Sequence, residues 1–117
     1  MRQAGILAAA ALYAIEHNID RLADDHANAK RLAEALAEMP GVQVDPASVE
    51  TNIVFFDVEP RIGTAKAVCD ALREQQVWML PVSAQRARAV THLDVSRQDI
   101  DLAITSLQSV LKQRAVA

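Results

Sequence analysis

Residues Ala4 to Ile15 read AGILAAAALYAI, an uncharged run of strong helix formers interrupted only by Gly5. Few segments are so restricted in what they can become. A bilayer span needs roughly 20 apolar residues, so this run of about 12 is too short to cross one. A secretory signal has a positive n-region before its apolar h-region, but Arg2 alone is a thin n-region, and Glu16, His17 and Asn18 lead on without a break. What remains is a helix apolar on every side, the pattern of a helix buried on every side. No Ser, Thr, Asp or Asn stands ahead of it to satisfy its first free N–H groups. The segment is expected to be an internal helix whose preceding chain and packing partners lie outside these residues.

The remainder divides by period. Leu22, His26, Ala29, Ala33 and Leu36 recur at helical spacing between Asp20 and Met39, and Pro40-Gly41 stops that helix. His26 falls on this apolar stripe and is expected to be a packed core histidine rather than a ligand. Val42 to Val44 and Asn52 to Val58 read as strands, the second rich in β-branched and aromatic residues. Thr64 is placed to cap a helix to about Gln75 with Val68 and Leu72 inward. Val77 to Leu80 and Arg86 to His92 are two further strands. Ser96, with Asp99 three residues on, forms a variant capping box before a helix whose apolar stripe is Ile100, Ala103, Ile104, Leu107, Val110 and Leu111. This order predicts an α+β domain, a small antiparallel sheet with helices packed on one face, preceded by a long apolar N-terminal helix.

A length of 117 residues at 51% hydrophobic content suits one domain with a real core. With 12 basic and 15 acidic residues intermixed and a net charge of -3, no field of one sign points to nucleic acid or an anionic membrane. The single cysteine, Cys69, cannot form an internal disulfide, and no Cys/His cluster has metal-ligand spacing. These features predict a reduced, cytoplasmic, metal-free protein.

The usual catalytic signatures are missing, including any Gly-rich phosphate loop, G-x-S-x-G or H-E-x-x-H. The stretch with chemical content is Arg86 to Ser96. Strand alternation places Arg86, Arg88, Val90 and His92 on one face, with Ala87, Ala89, Thr91 and Leu93 on the other. Guanidinium forks match planar anions two bonds at a time, so this face suits a carboxylate or phosphate. Exposed arginine is ordinary, and the pattern alone favours a solvated strand face over such a site.

Four separated blocks add to this reading: Met1-Arg2-Gln3-Ala4-Gly5, Asp25-His26-Ala27-Asn28-Ala29, Glu50-Thr51-Asn52-Ile53-Val54, and Arg88 to Ser96. In this order they resemble the C-terminal portion of the low-specificity L-threonine aldolases, over essentially the whole chain. The resemblance implies a pyridoxal-phosphate enzyme of the aspartate-aminotransferase fold type, which cleaves the Cα–Cβ bond of threonine to give glycine and acetaldehyde. Residues 1–117 would then be the small C-terminal domain. The large domain carrying the Schiff-base lysine would lie before Met1, leaving this chain without a catalytic residue and inactive alone, with no pyridoxal phosphate bound. Lys30, Lys66 and Lys112 sit in amphipathic helix patterns with nothing to desolvate them. By the same resemblance Arg88 grips the substrate α-carboxylate, and Arg2 lies close to the cofactor and its phosphate. His92 and Asn52 are expected to fix strand ends through hydrogen bonds.

The implied partners are the large domain or a second copy of the chain, with a small amino-acid substrate in the complete enzyme. The contrasting expectation is a non-catalytic interaction module that binds a partner through its first helix. Either way Ile6, Leu7, Leu12 and Ile15 need cover, since burying such side chains is worth roughly 1.5–3 kcal/mol each. The 117-residue chain is therefore expected to self-associate at micromolar concentration, and Leu7→Glu with Leu12→Glu to weaken association without unfolding the sheet. Light scattering is the check; a monomer with this helix protected from hydrogen exchange would contradict it.

Overall fold

Alternation along two central strands organises the domain. The computed structural model describes residues 2–117; Met1, first residue of the M-R-Q-A-G block, lies outside the described residues. The elements run α1 (Ala4–His17), α2 (Leu22–Ala37), β1 (Val42–Gln43), a 3-10 turn (Pro46–Ser48), β2 (Ile53–Val58), α3 (Ala65–Glu74), β3 (Leu80–Pro81), β4 (Arg86–Val90) and α4 (Arg97–Val116). The sheet order is β1-β2-β4-β3, every neighbouring pair antiparallel. This is the expected α+β arrangement.

Val54, Phe56 and Val58 of β2 and Ala87 and Ala89 of β4 point to one face and are buried there. The helices α2, α3 and α4 cover that face with Leu32, Leu36, Val68, Leu72, Leu107 and Val110. Large aliphatic side chains come from the helices and small ones from β4, so α3 can approach β4 closely, while α4 packs on α2 and α3. The burial of these groups, at roughly 25 cal/mol per Å² of apolar surface, is the main term holding the layers together.

The helix ends follow local chemistry. Thr64 Oγ1 accepts from Ala67 N at 3.2 Å to start α3. At α4, Ser96 Oγ accepts from Asp99 N at 3.2 Å while Asp99 Oδ2 accepts from Ser96 N at 2.8 Å, completing the box in both directions. Gly41 ends the turn after α2 at φ 89, where a Cβ would fall 2.5 Å from Ile62 Cγ1. That position is open only to glycine.

Two details differ from the sequence reading. The strand expected over Val77 to Leu80 is instead Leu80–Pro81: Gln76 adopts φ 63, and Val77 donates its N–H back to Leu72 O, so the chain leaves α3 through a turn that buries Val77 in the core. His26 is exposed, not packed. The inward stripe of α2 is Asp25, Asn28, Ala29, Leu32, Ala33 and Leu36, rotated away from His26: the Asn28 side chain donates to Val95 O across the domain, and the Asp25 carboxylate pairs with Arg21 while its backbone carbonyl accepts from Thr91. In keeping with the expected exposure of its apolar stripe, α1 has no buried residue, and Ile6 remains 70% exposed. No helix among the described residues is long and apolar enough to cross a membrane.

Because the Ser96 hydroxyl closes one half of the α4 box, Ser96→Ala should cost about 1 kcal/mol of stability. The urea midpoint should fall with an unchanged m-value, since the loss is of a cap and not of compactness.

Candidate functional site

The face of the sheet opposite the helices carries the side chains singled out by the sequence. Residues directly opposed across antiparallel strands share a face, so the register lays them out in rows. Ile53 pairs with Val90, Phe55 with Arg88, and Asp57 with Arg86. On its other side Arg88 pairs with Leu80 of β3. Arg88 thus stands at the centre of the open face, between an aromatic and an aliphatic side chain. Phe55 and Leu80 are each about half exposed, at 48% and 56%.

The two arginines of β4 differ in what they hold. Arg86 Nε donates to Asp57 Oδ1 at 2.8 Å and Arg86 Nη2 donates to Asp57 Oδ2 at 2.7 Å, a bidentate fork. The hydrogen bond from Arg86 holds the Asp57 carboxyl below its ordinary value, and the same bond raises the Arg86 guanidinium above its own. Among the described residues Arg88 has no such counterpart. It is half-buried, and its buried Nε has no hydrogen-bond partner among the described residues. A desolvated N–H donor without an acceptor is costly unless a ligand supplies one. Arg86 is the occupied fork, and Arg88 is the one with capacity for an anion.

The remaining candidates spread out. Arg2 is exposed in the turn ahead of α1, a helix about 21 Å long at 1.5 Å per residue. Since no residue of α1 is buried, nothing in the domain fixes Arg2 relative to Arg88. Asn52 fastens a strand end: its Nδ2 donates to Thr91 O at 2.8 Å, and Thr91 N donates to Asn52 O at 2.9 Å. His92 is exposed, and its Nδ1 accepts from Asp94 N at 3.3 Å, a contact within its own turn. Lys30, Lys66 and Lys112 are exposed, Lys66 being paired with Asp70 at 2.6 Å. Cys69 is buried, and desolvation raises its thiol above the ordinary value, which leaves it poorly nucleophilic.

Sequence reasoning missed the network under the site. Thr91, wholly buried, donates through Oγ1 to Asp25 O at 2.8 Å. Asn28 Nδ2 donates to Val95 O at 3.2 Å. The buried Asp25 carboxylate is gripped by Arg21 at 2.7 and 3.2 Å. Asp25 and Asn28, Asn52, and Thr91 and Val95 come from three of the four blocks singled out in the sequence, and they meet where β4 runs out of the sheet. The signal available in the sequence was the polar pair Asp25 and Asn28, three positions apart and hence on one helix face.

The Asp57–Arg86 fork has a pH consequence. A carboxyl whose folded value is depressed adds stability above its unfolded value near 3.9, and that stability is lost as pH falls through the lower folded value. Both side chains are partly exposed, so the effect is small. Asp57→Asn should lower the urea midpoint slightly at pH 7, and the difference from the parent should vanish as pH falls below about 4. An equal difference at pH 7 and pH 3 would contradict this account.

Comparison with known proteins gives consistent results. The family model described as beta-eliminating lyase matches residues 1–59. The chain is similar to a probable low-specificity L-threonine aldolase 2 of Arabidopsis thaliana, 37% identical over 112 residues, covering 94% of this chain and 31% of that protein. It is also similar to the low specificity L-threonine aldolase of Escherichia coli strain K12, 40% identical over 100 residues, covering 86% of this chain and 28% of that protein. The chain thus spans under a third of the length of these curated relatives. A solved structure, that of MppP soaked with the product 2-ketoarginine, superposes with a TM-score of 0.67 at 19% identity, covering 85% of this chain and 30% of that one. This last is a likeness of fold.

Proposed function

Because the chain belongs to the beta-eliminating lyase family, we propose that it forms the C-terminal small domain of a threonine aldolase, which cleaves L-threonine to glycine and acetaldehyde. The observation carrying this reading is the unpartnered, half-buried Arg88 fork at the centre of the open sheet face. It presents a carboxylate-sized need in a place where β2, β3 and β4 hold its stem rigid.

Enzymes of this family use pyridoxal phosphate, which when bound supplies the electron sink for cleavage next to the amino-acid Cα. The donor set in these residues suits the anionic parts of such a complex. Arg88 binds the substrate α-carboxylate through two charge-assisted bonds, fixing how the Cα substituents are turned. Phe55 and Leu80 flank the fork and keep competing water from it, which strengthens the contact. Arg2, exposed ahead of α1, serves the cofactor phosphate. None of the three lysines is desolvated, so the attachment lysine comes from a large domain outside these 117 residues, and the chain alone does not turn over threonine. The alternative reading, an interaction module that binds through α1, draws on the exposure of Ile6, Leu7, Leu12 and Ile15.

The test is a chimera in which this chain replaces the matching C-terminal portion of the E. coli enzyme. It should cleave threonine, and Arg88→Lys should reduce kcat/KM by roughly 10- to 100-fold, because the charge remains but the fork is lost. Arg86→Lys should stay within about twofold, since lysine still pairs with Asp57 in a partly exposed setting. Near-normal turnover of Arg88→Lys would refute the carboxylate assignment, and equal losses at both positions would mean that the wrong arginine has been chosen.

A further inference from the structure

Asp57 is a carboxylate on the same open face as the Arg88 guanidinium. It lies directly opposite Arg86 and one step diagonally from Arg88 in the β2–β4 register. Diagonal cross-strand neighbours are about 7–8 Å apart, a span that an arginine and an aspartate side chain bridge together. An unengaged Asp57 would therefore be a resident carboxylate competing for the fork that the substrate requires. Both of its oxygens are instead taken by Arg86, at 2.8 and 2.7 Å.

We propose that Arg86 is a positioning residue for substrate binding: by engaging both oxygens of Asp57 it keeps that carboxylate off Arg88 and leaves the Arg88 fork free. The inference rests on the reading of Arg88 given above. It accounts for two arginines on one strand face with different fates, one spent on a neighbour and one open. Arg86 touches no substrate in this scheme. Its removal creates an intramolecular competitor, which lowers the fraction of competent sites and raises the apparent KM without altering the step that follows binding.

Two measurements test it. In the 117-residue chain labelled with ¹⁵N, the Arg88 Nε–H resonance should move in Arg86→Gln, and that displacement should be reversed on acidifying through the range where Asp57 titrates. Neither change should occur in Asp57→Asn/Arg86→Gln. In the E. coli chimera, Arg86→Gln should raise KM for threonine roughly two- to fivefold, the strength of a partly exposed ion pair, with kcat little changed. The double variant should return KM to the parent value, and Arg86→Lys, which still pairs with Asp57 but without the fork, should stay within about twofold of the parent. An unmoved Arg88 resonance in Arg86→Gln, or a double variant as impaired as the single one, overturns the inference. If Arg88→Lys lowers activity while Arg86→Gln leaves KM unchanged, the inference alone fails; if Arg88→Lys is without effect, the carboxylate reading fails and takes the inference with it.

Discussion

The antiparallel pairing of β2 with β4 decides which chemistry the domain can present. With Val54 opposite Ala89 and Phe56 opposite Ala87, the inward row is wholly apolar, and the outward row is left with Phe55, Asp57, Arg86 and Arg88. A slip of one residue in either strand would send a charged side chain under the helices and an apolar one into solvent. The core therefore enforces the register, and the register in turn sets Asp57 against Arg86 and Phe55 against Arg88. Site geometry here is a by-product of hydrophobic burial on the opposite face.

A second set of contacts fixes the end of β4. Thr91 is buried, and both its backbone and its hydroxyl are satisfied, by Asn52 and by the carbonyl of Asp25. An unmet donor at such a position costs about 1–3 kcal/mol, so each partner penalises alternative pairings. The Arg21–Asp25 pair adds a buried carboxylate that cannot lose its cation without a similar penalty. Polar groups at the strand end thus do what apolar packing cannot, since packing fixes which face a residue occupies but restrains sliding by two residues only weakly.

Much of this was legible in the sequence because it is local. The capping box at Ser96 and Asp99, the stop at Pro40-Gly41, the Thr64 cap and the alternation of Arg86 to Thr91 all depend on residues a few positions apart. What escaped depends on distant partners. His26 looked inward by helical period, yet α2 is turned so that the Asn28 side chain and the Asp25 carbonyl meet segments more than sixty residues away. Val77 has the composition of a strand residue, but Gln76 at positive φ turns the chain and makes Val77 a core plug. The alternation of β4 identified two candidate arginines; only the register of β2 against β4 distinguishes the one that Asp57 occupies.

The two arginines implied by the resemblance also differ in what holds them, and that difference has a physical cause. Arg88 is set by a strand whose other face is packed, so its position is a property of this chain. Arg2 stands at the far end of α1, whose 14 residues are near the length at which isolated helices are marginal in water. Its helix formers favour the helical state, but no buried residue ties α1 to the sheet. Cover for the exposed stripe from Ile6 to Ile15 would stabilise the helix and, through it, hold Arg2. A surface packed on α1 would therefore act on the position of Arg2 as well as on stability: it would hold Arg2 in fixed relation to Arg88, which the sheet has already placed.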